Sequence, residues 1–214
     1  VVPTGVSIGF EVRRAAGPVG GELSEEEEED MEEGDAEADE ALAFADEVGD
    51  TVRRALASNH TVDNLALEVN SLKFAQNATF SDCVRAIVPA LLCEPSAGAA
   101  TKKERVAFLR KTLDKWAALL KKFVQSAADA RALVEAVVAS CEQEEGLVEV
   151  FDHALKMLYD REEDLLPEEA ILGWAEAAEA RAADGSLEQR LLSQASGLLD
   201  WLREADEEDD DEDD

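Results

Sequence analysis

The segment NHTVDNLALEVNSLKFAQN, residues 59–77, contains one carboxylate whose surroundings packing does not require. On a helix of 3.6 residues per turn, Val62, Leu65, Val69 and Leu72 form an apolar stripe. Glu68 lies at its edge, among Thr61, Asn64 and Ser71. A glutamate at a helix rim is by itself only a solvated charge, worth little to stability. The chain offers no Ser-His-Asp set, no paired catalytic carboxylates near a histidine, no glycine-rich phosphate loop and no cofactor motif. The sequence thus offers Glu68 no covalent chemistry to join. Leu67 and Phe74 fall away from the stripe, which predicts a helix covered on two sides.

Two aromatic-acidic segments near the end are the second candidate. One runs from Tyr159-Asp160 through Glu168 and Glu169 to Trp174; the other is Leu199-Asp200-Trp201-Leu202-Arg203-Glu204, continuing into Asp206, Glu207 and Glu208. Carboxylates attract cations at long range, and an exposed aromatic face gives lysine stems an apolar contact with about 0.5–2 kcal/mol of cation–π gain. The competing reading for the Trp174 and Trp201 rings is core packing, which leaves their flanking acids as the binding groups.

The elements that carry these residues are helical. Loop signals near residues 59–60, 77–78, 94–96, 126, 145–146, 166–167 and 184–185 leave about eight helices. Thr79 with Asp82, Thr101 with Glu104 and Ser186 with Gln189 form candidate capping boxes. Pro89 predicts a kink or a split. The first helix is expected over 41–58 through Leu42, Val48, Val52 and Leu56. In 102–124, Val106, Leu109, Leu113, Trp116, Leu120 and Phe123 recur at three- and four-residue steps, so Trp116 reads as core. The same helix concentrates Lys102, Lys103, Arg105, Arg110, Lys111, Lys115, Lys121 and Lys122, read as a solvated face or a counterpart to the acidic runs, with a docking surface as the lesser alternative. Successive helices with short connections suggest antiparallel pairs stacked as a short α-solenoid.

The residue patterns at both candidates resemble a known family. Asn59-His60, Asp63 and Leu67-Glu68-Val69-Asn70-Ser71-Leu72 resemble the start of the C-terminal catalytic domain of the epsilon subunit of eukaryotic translation initiation factor 2B. The aromatic-acidic segments resemble the paired boxes that this subunit shares with initiation factor five and with scaffold proteins of the initiation factor 4G type. The resemblance implies an all-α, HEAT-like domain that promotes GDP release from initiation factor 2. It also implies that Glu68 is the residue most tied to exchange, supported by Thr51 in the preceding helix. For partner binding it implies Asn70, Tyr159, Glu168, Glu169, Trp174, Asp200, Trp201, Glu204, Asp206, Glu207 and Glu208. The implied partners are the gamma-subunit GTPase domain and a lysine-rich beta-subunit segment of initiation factor 2, together with other 2B subunits contacted through a missing upstream region. The alternative is a non-catalytic binding module of the paralogous adaptor type; a third reading, an acidic chaperone, rests on charge alone.

Composition sets the remaining bounds. The 214 residues are 46% hydrophobic, enough for one substantial core, yet the formal net charge is −31. Residues 22–50 hold sixteen acids and no base, and 204–214 hold ten acids in eleven positions. Both runs are expected to be disordered or only locally helical. The expected organisation is 1–21, extended chain or the end of a preceding β-domain (a left-handed β-helix in the resembled family); 22–38, acidic linker; 39–205, helical domain; and 206–214, acidic tail. An acidic surface disfavours nucleic acid and favours basic segments. The three cysteines, Cys83, Cys93 and Cys141, lack CxxC spacing, and neither His60 nor His153 shows ligand spacing, so reduced core thiols, no metal and a cytoplasmic setting are expected. No membrane span or signal peptide is read, and the start at Val1 suggests a C-terminal fragment.

Overall fold

In the computed structural model the described residues are 25–58, 60–93, 101–161 and 165–210, with side chains described only within 39–204. The chain divides into two units, Val1–Glu37 and Ala38–Asp214. Among the described residues there are nine helices and no strand: α1 (Glu25–Ala57), α2 (Val62–Ala75), α3 (Phe80–Leu92), α4 (Lys102–Phe123), α5 (Ala127–Gln143), α6 (Glu145–Val148), α7 (Phe151–Tyr159), α8 (Glu168–Arg181) and α9 (Leu187–Asp210). No described helix is long and apolar enough to cross a membrane. The expected extended segment at 1–21 lies outside the described residues.

α1 begins well ahead of residue 41, and α9 runs past residue 205. The local helix allowed for both acidic runs is what extends them. Glutamate is a good helix former, and carboxylates at a helix start meet the positive end of its dipole. Within the second unit α1 buries Phe44, Val48, Val52 and Ala55, while Leu42 is 45% exposed. The buried register is thus carried by Phe44 instead of Leu42.

The second unit is built as two rows. α3 packs on α5 and α5 on α8; α2 packs on α4, α4 on α7 and α7 on α9, while α3–α4 and α8–α9 contacts join the rows. Contact with the next-but-one helix is what stacked helical pairs produce. One hydrophobic core threads both rows, with Trp116, Phe123 and Phe151 among its largest enclosed side chains. Truncating Trp116 to alanine costs about 3–5 kcal/mol.

Local chemistry sets the helix ends. Thr79–Asp82 and Thr101–Glu104 are complete capping boxes. Ser186 Oγ accepts from Gln189 N, but the Gln189 side chain accepts from Gly185 N, so this third box closes one residue early. α2 ends on Asn77 at φ 52, in the left-handed region, and Ala78 N donates to Lys73 O at 2.9 Å, a Schellman closure. α3 runs unsplit through Pro89 and ends at Leu92, so the proline ends the helix within a turn and does not divide it. Asp129 joins three segments: its Oδ1 accepts from Ser81 Oγ at 2.7 Å, and its Oδ2 accepts from Gln125 N and Ser126 Oγ at 3.1 and 2.8 Å.

Candidate functional site

The α1–α2 corner assembles the residues of the first candidate. Thr61 caps α2, its side chain accepting from Asn64 N, and Leu65, Ala66 and Val69 anchor the helix in the core. That fixes the rotation of α2 and leaves Glu68 half-exposed, its side chain 40% accessible. Glu68 Oε2 lies 3.7 Å from Arg54 Nη2, and Glu68 Oε1 lies 3.6 Å from His60 Nδ1. Both exceed hydrogen-bond length, so Arg54 makes an ionic contact and His60 a close approach, each across a small gap. The same Arg54 nitrogen donates to Thr51 Oγ1 at 3.1 Å. Thr51 is 5% exposed. The threonine and the glutamate thus share Arg54, a residue that sequence reasoning passed over although its i+3 spacing from Thr51 was available.

The outward face of α2 corrects an expectation. Leu67 is 67% exposed and Phe74 76% exposed, so α2 is covered on one side only. Lys73 Nζ lies 4.2 Å from the Phe74 ring centroid and 4.4 Å from that of Phe80, which is itself exposed. Seven residues apart, Leu67 and Phe74 share a face beside the polar strip of Asn64, Glu68 and Ser71. Asn70 is half-buried on the same helix. Asp63 pairs with Lys122 of α4 at 3.2 Å.

The basic helix α4 keeps most of its cations exposed, with some of them paired to neighbouring helices. Lys102 faces Asp152 at 4.0 Å, Arg105 binds Glu149 at 2.6 Å, and Lys115 lies over the Trp116 ring at 4.6 Å. Arg105 also lies across Gly146, where a Cβ would stand 2.5 Å from its Nε. These acidic partners lie outside the runs at 22–50 and 204–214, so the contacts do not bear out the counterpart reading of the basic run.

The second candidate forms where α7, the start of α8 and α9 meet. Tyr159 and Trp201 pack edge to face, centroids 5.7 Å apart at 87°. Burial raises the Tyr159 pKa, and the nearby Glu168, Asp160 and Glu169 carboxylates raise it further. Trp201 is 46% exposed, which corrects the core assignment of its ring. The opening beside it, about 550 Å³, is lined by Asp152, Lys156, Met157, Asp160 and Leu198 among others. Lys156 Nζ lies 5.0 Å from the Trp201 centroid. Trp174 does not join this pair; it is half-buried against Phe151, centroids 5.0 Å apart. Asp200 and Glu204 are exposed. The side chains of Asp206, Glu207 and Glu208 lie outside the described residues.

Residues 129–212 match the W2 family, described as eIF4-gamma/eIF5/eIF2-epsilon. The fold agrees with a solved structure, the C-terminal domain of translation initiation factor 5 at low pH, at a TM-score of 0.53 and 18% identity, covering 80% of this chain and 97% of that one. The chain carries a W2 domain over residues 129–212. Along 177 residues, 80% of its length, it is 34% identical to translation initiation factor eIF2B subunit epsilon of Dictyostelium discoideum, and along 181 residues, 84%, it is 29% identical to that of Schizosaccharomyces pombe. It is a homologue of these eIF2B epsilon subunits along four fifths of its length and spans 24% of the length of each. A shorter stretch of 81 residues, 38% of the chain and 18% of the relative, is 32% identical to eukaryotic translation initiation factor 5 of Caenorhabditis elegans.

Proposed function

We propose that this chain is the exchange-promoting part of an eIF2B epsilon subunit, acting in the cytoplasm to speed GDP release from translation initiation factor 2. The observation that carries the reading is the Glu68 carboxylate, held at the α1–α2 corner by Arg54 and His60 and flanked by exposed Leu67 and Phe74. Exchange requires weakening a GTPase's hold on Mg²⁺ and phosphates. A fixed carboxylate brought to that pocket repels phosphate or competes for the lysine and metal that bind it. No covalent step is needed. Leu67 and Phe74 would supply the apolar contact that brings Glu68 to the gamma subunit.

Docking is assigned to the Tyr159–Trp201 region with Glu168, Glu169, Asp200 and Glu204 and the acids that follow. Its ligand is a lysine-rich segment of the beta subunit, with residues 22–38 as a linker toward other 2B subunits.

The rival reading is a binding module without exchange activity. It is favoured by the W2 match, which begins at 129 and so omits Glu68. Against it, the Dictyostelium match covers 80% of the chain. The longest stretch that avoids Glu68, residues 69–214, is only about two thirds of the chain. Release of labelled GDP from initiation factor 2 with the wild-type chain and with Glu68→Gln decides between them. A module without activity would leave the spontaneous rate unchanged in both.

A further inference from the structure

His60 belongs to the α2 signature at this corner, and the exchange reading gives its proton no role. Its side chain is 34% exposed. Nδ1 itself, however, is buried and makes no hydrogen bond. What it faces is Glu68 Oε1 at 3.6 Å, while Arg54 faces the other oxygen, Oε2, at 3.7 Å. A buried nitrogen without a partner is costly, and a carboxylate oxygen accepts from any donor brought within reach. A shift of about half an ångström or a little more in either side chain would bring the pair to the hydrogen-bond range of roughly 2.7–3.2 Å. The two oxygens of Glu68 are thus bracketed from two directions, by a side chain of α1 and by one from the connection into α2.

We propose that His60 is a positioning residue: it carries its proton on Nδ1, donates to Glu68 Oε1, and with Arg54 fixes the direction in which the carboxylate is presented. The proposal rests on the exchange reading for its consequence and on the corner geometry for its structure. Neutral imidazole in water prefers the proton on Nε2, so a carboxylate acceptor beside Nδ1 selects the less common tautomer. An asparagine side chain places its amide nitrogen near where Nδ1 stands; a glutamine places it near Nε2. That difference separates a directional donor from mere bulk.

The contact can be read without a partner. In the isolated 214-residue chain, imidazole ¹⁵N shifts should report an Nδ1–H tautomer for His60, reverting toward Nε2–H in Glu68→Leu. An Nε2–H tautomer for His60 in the wild-type chain would overturn the proposal whatever exchange assays give. The consequence is read on initiation factor 2. His60→Leu and His60→Gln should lower the saturated GDP-release rate roughly tenfold with affinity unchanged, and His60→Asn should retain most of it. If Glu68→Gln abolishes release while the three His60 variants all match wild type, the exchange reading stands and the positioning role is refuted. If Glu68→Gln releases GDP at the wild-type rate, the exchange reading fails, and the NMR arm alone judges the contact.

Discussion

Thr51 and Glu68, on successive helices, are linked through a single nitrogen: Arg54 Nη2 is 3.1 Å from Thr51 Oγ1 and 3.7 Å from Glu68 Oε2. Thr51→Ala removes the acceptor that orients the guanidinium. The saturated exchange rate should fall several-fold, Thr51→Ser should restore it, and affinity for initiation factor 2 should hold. The stability cost should be about 0.5–1.5 kcal/mol, the usual net worth of one hydrogen bond. Affinity falling in step with rate would argue against a role through Glu68.

Leu67 and Phe74 are solvent-exposed on the free face of α2. Replacing each with serine should leave thermal stability within about 0.5 kcal/mol of wild type, as for other surface positions. Capture of the gamma subunit should weaken. A large drop in melting temperature would show that this face is covered by the chain itself.

The acidic boxes act through charge over a screening length of about 8 Å at physiological salt, whereas Glu68 acts at contact. Neutralising Glu168, Glu169, Asp206, Glu207 and Glu208 should weaken capture steeply with added salt and leave the saturated exchange rate measurable. Glu68→Gln should do the reverse. The salt series fails the proposal if the box variant loses rate and keeps affinity.

Burial pushes the thiols of Cys83 and Cys141 up to about 12. Both should resist thiol reagents at neutral pH in the native protein and react promptly in denaturant. Labelling of either in the native state at a rate typical of a free thiol would mean that the core opens locally.

Asp129 is buried, which works against its charge, yet hydrogen bonds from Ser81, Ser126 and the Gln125 and Ser126 backbone leave its pKa below the ordinary value. A depressed folded-state value adds stability above the unfolded pKa of about 3.9, and that stability is lost as pH falls through the folded value. Asp129→Asn should cost about 1–3 kcal/mol near neutrality, where the wild-type carboxylate is ionised, and less at strongly acid pH. Urea unfolding at two pH values checks the sign.

The helices were legible because their periodicity is strong: Leu109, Leu113, Trp116, Leu120 and Phe123 of α4 are all buried, as their spacing implied. What periodicity could not reveal was which faces have neighbours. Leu67 and Phe74 read as a second covered side because an apolar residue carries the same pattern whether it meets its own core or awaits a partner. Trp201 was misjudged for a related reason, since its ring is held by Tyr159 at the surface. Glu68 stood out by resemblance, but Arg54 did not, because a lone arginine three residues from a threonine is common in helices. Only the tertiary approach of α1 to α2 gives it a role.

In the outer row α2 touches α4, α4 touches α7, and α7 touches α9. Glu68 thus stands on the first member and Trp201 on the last. Under the proposed docking, a ligand held at the Trp201 end would meet the Glu68 end intramolecularly, governed by tether length and stiffness. Lengthening that tether in the ligand would dilute the second contact without altering either surface.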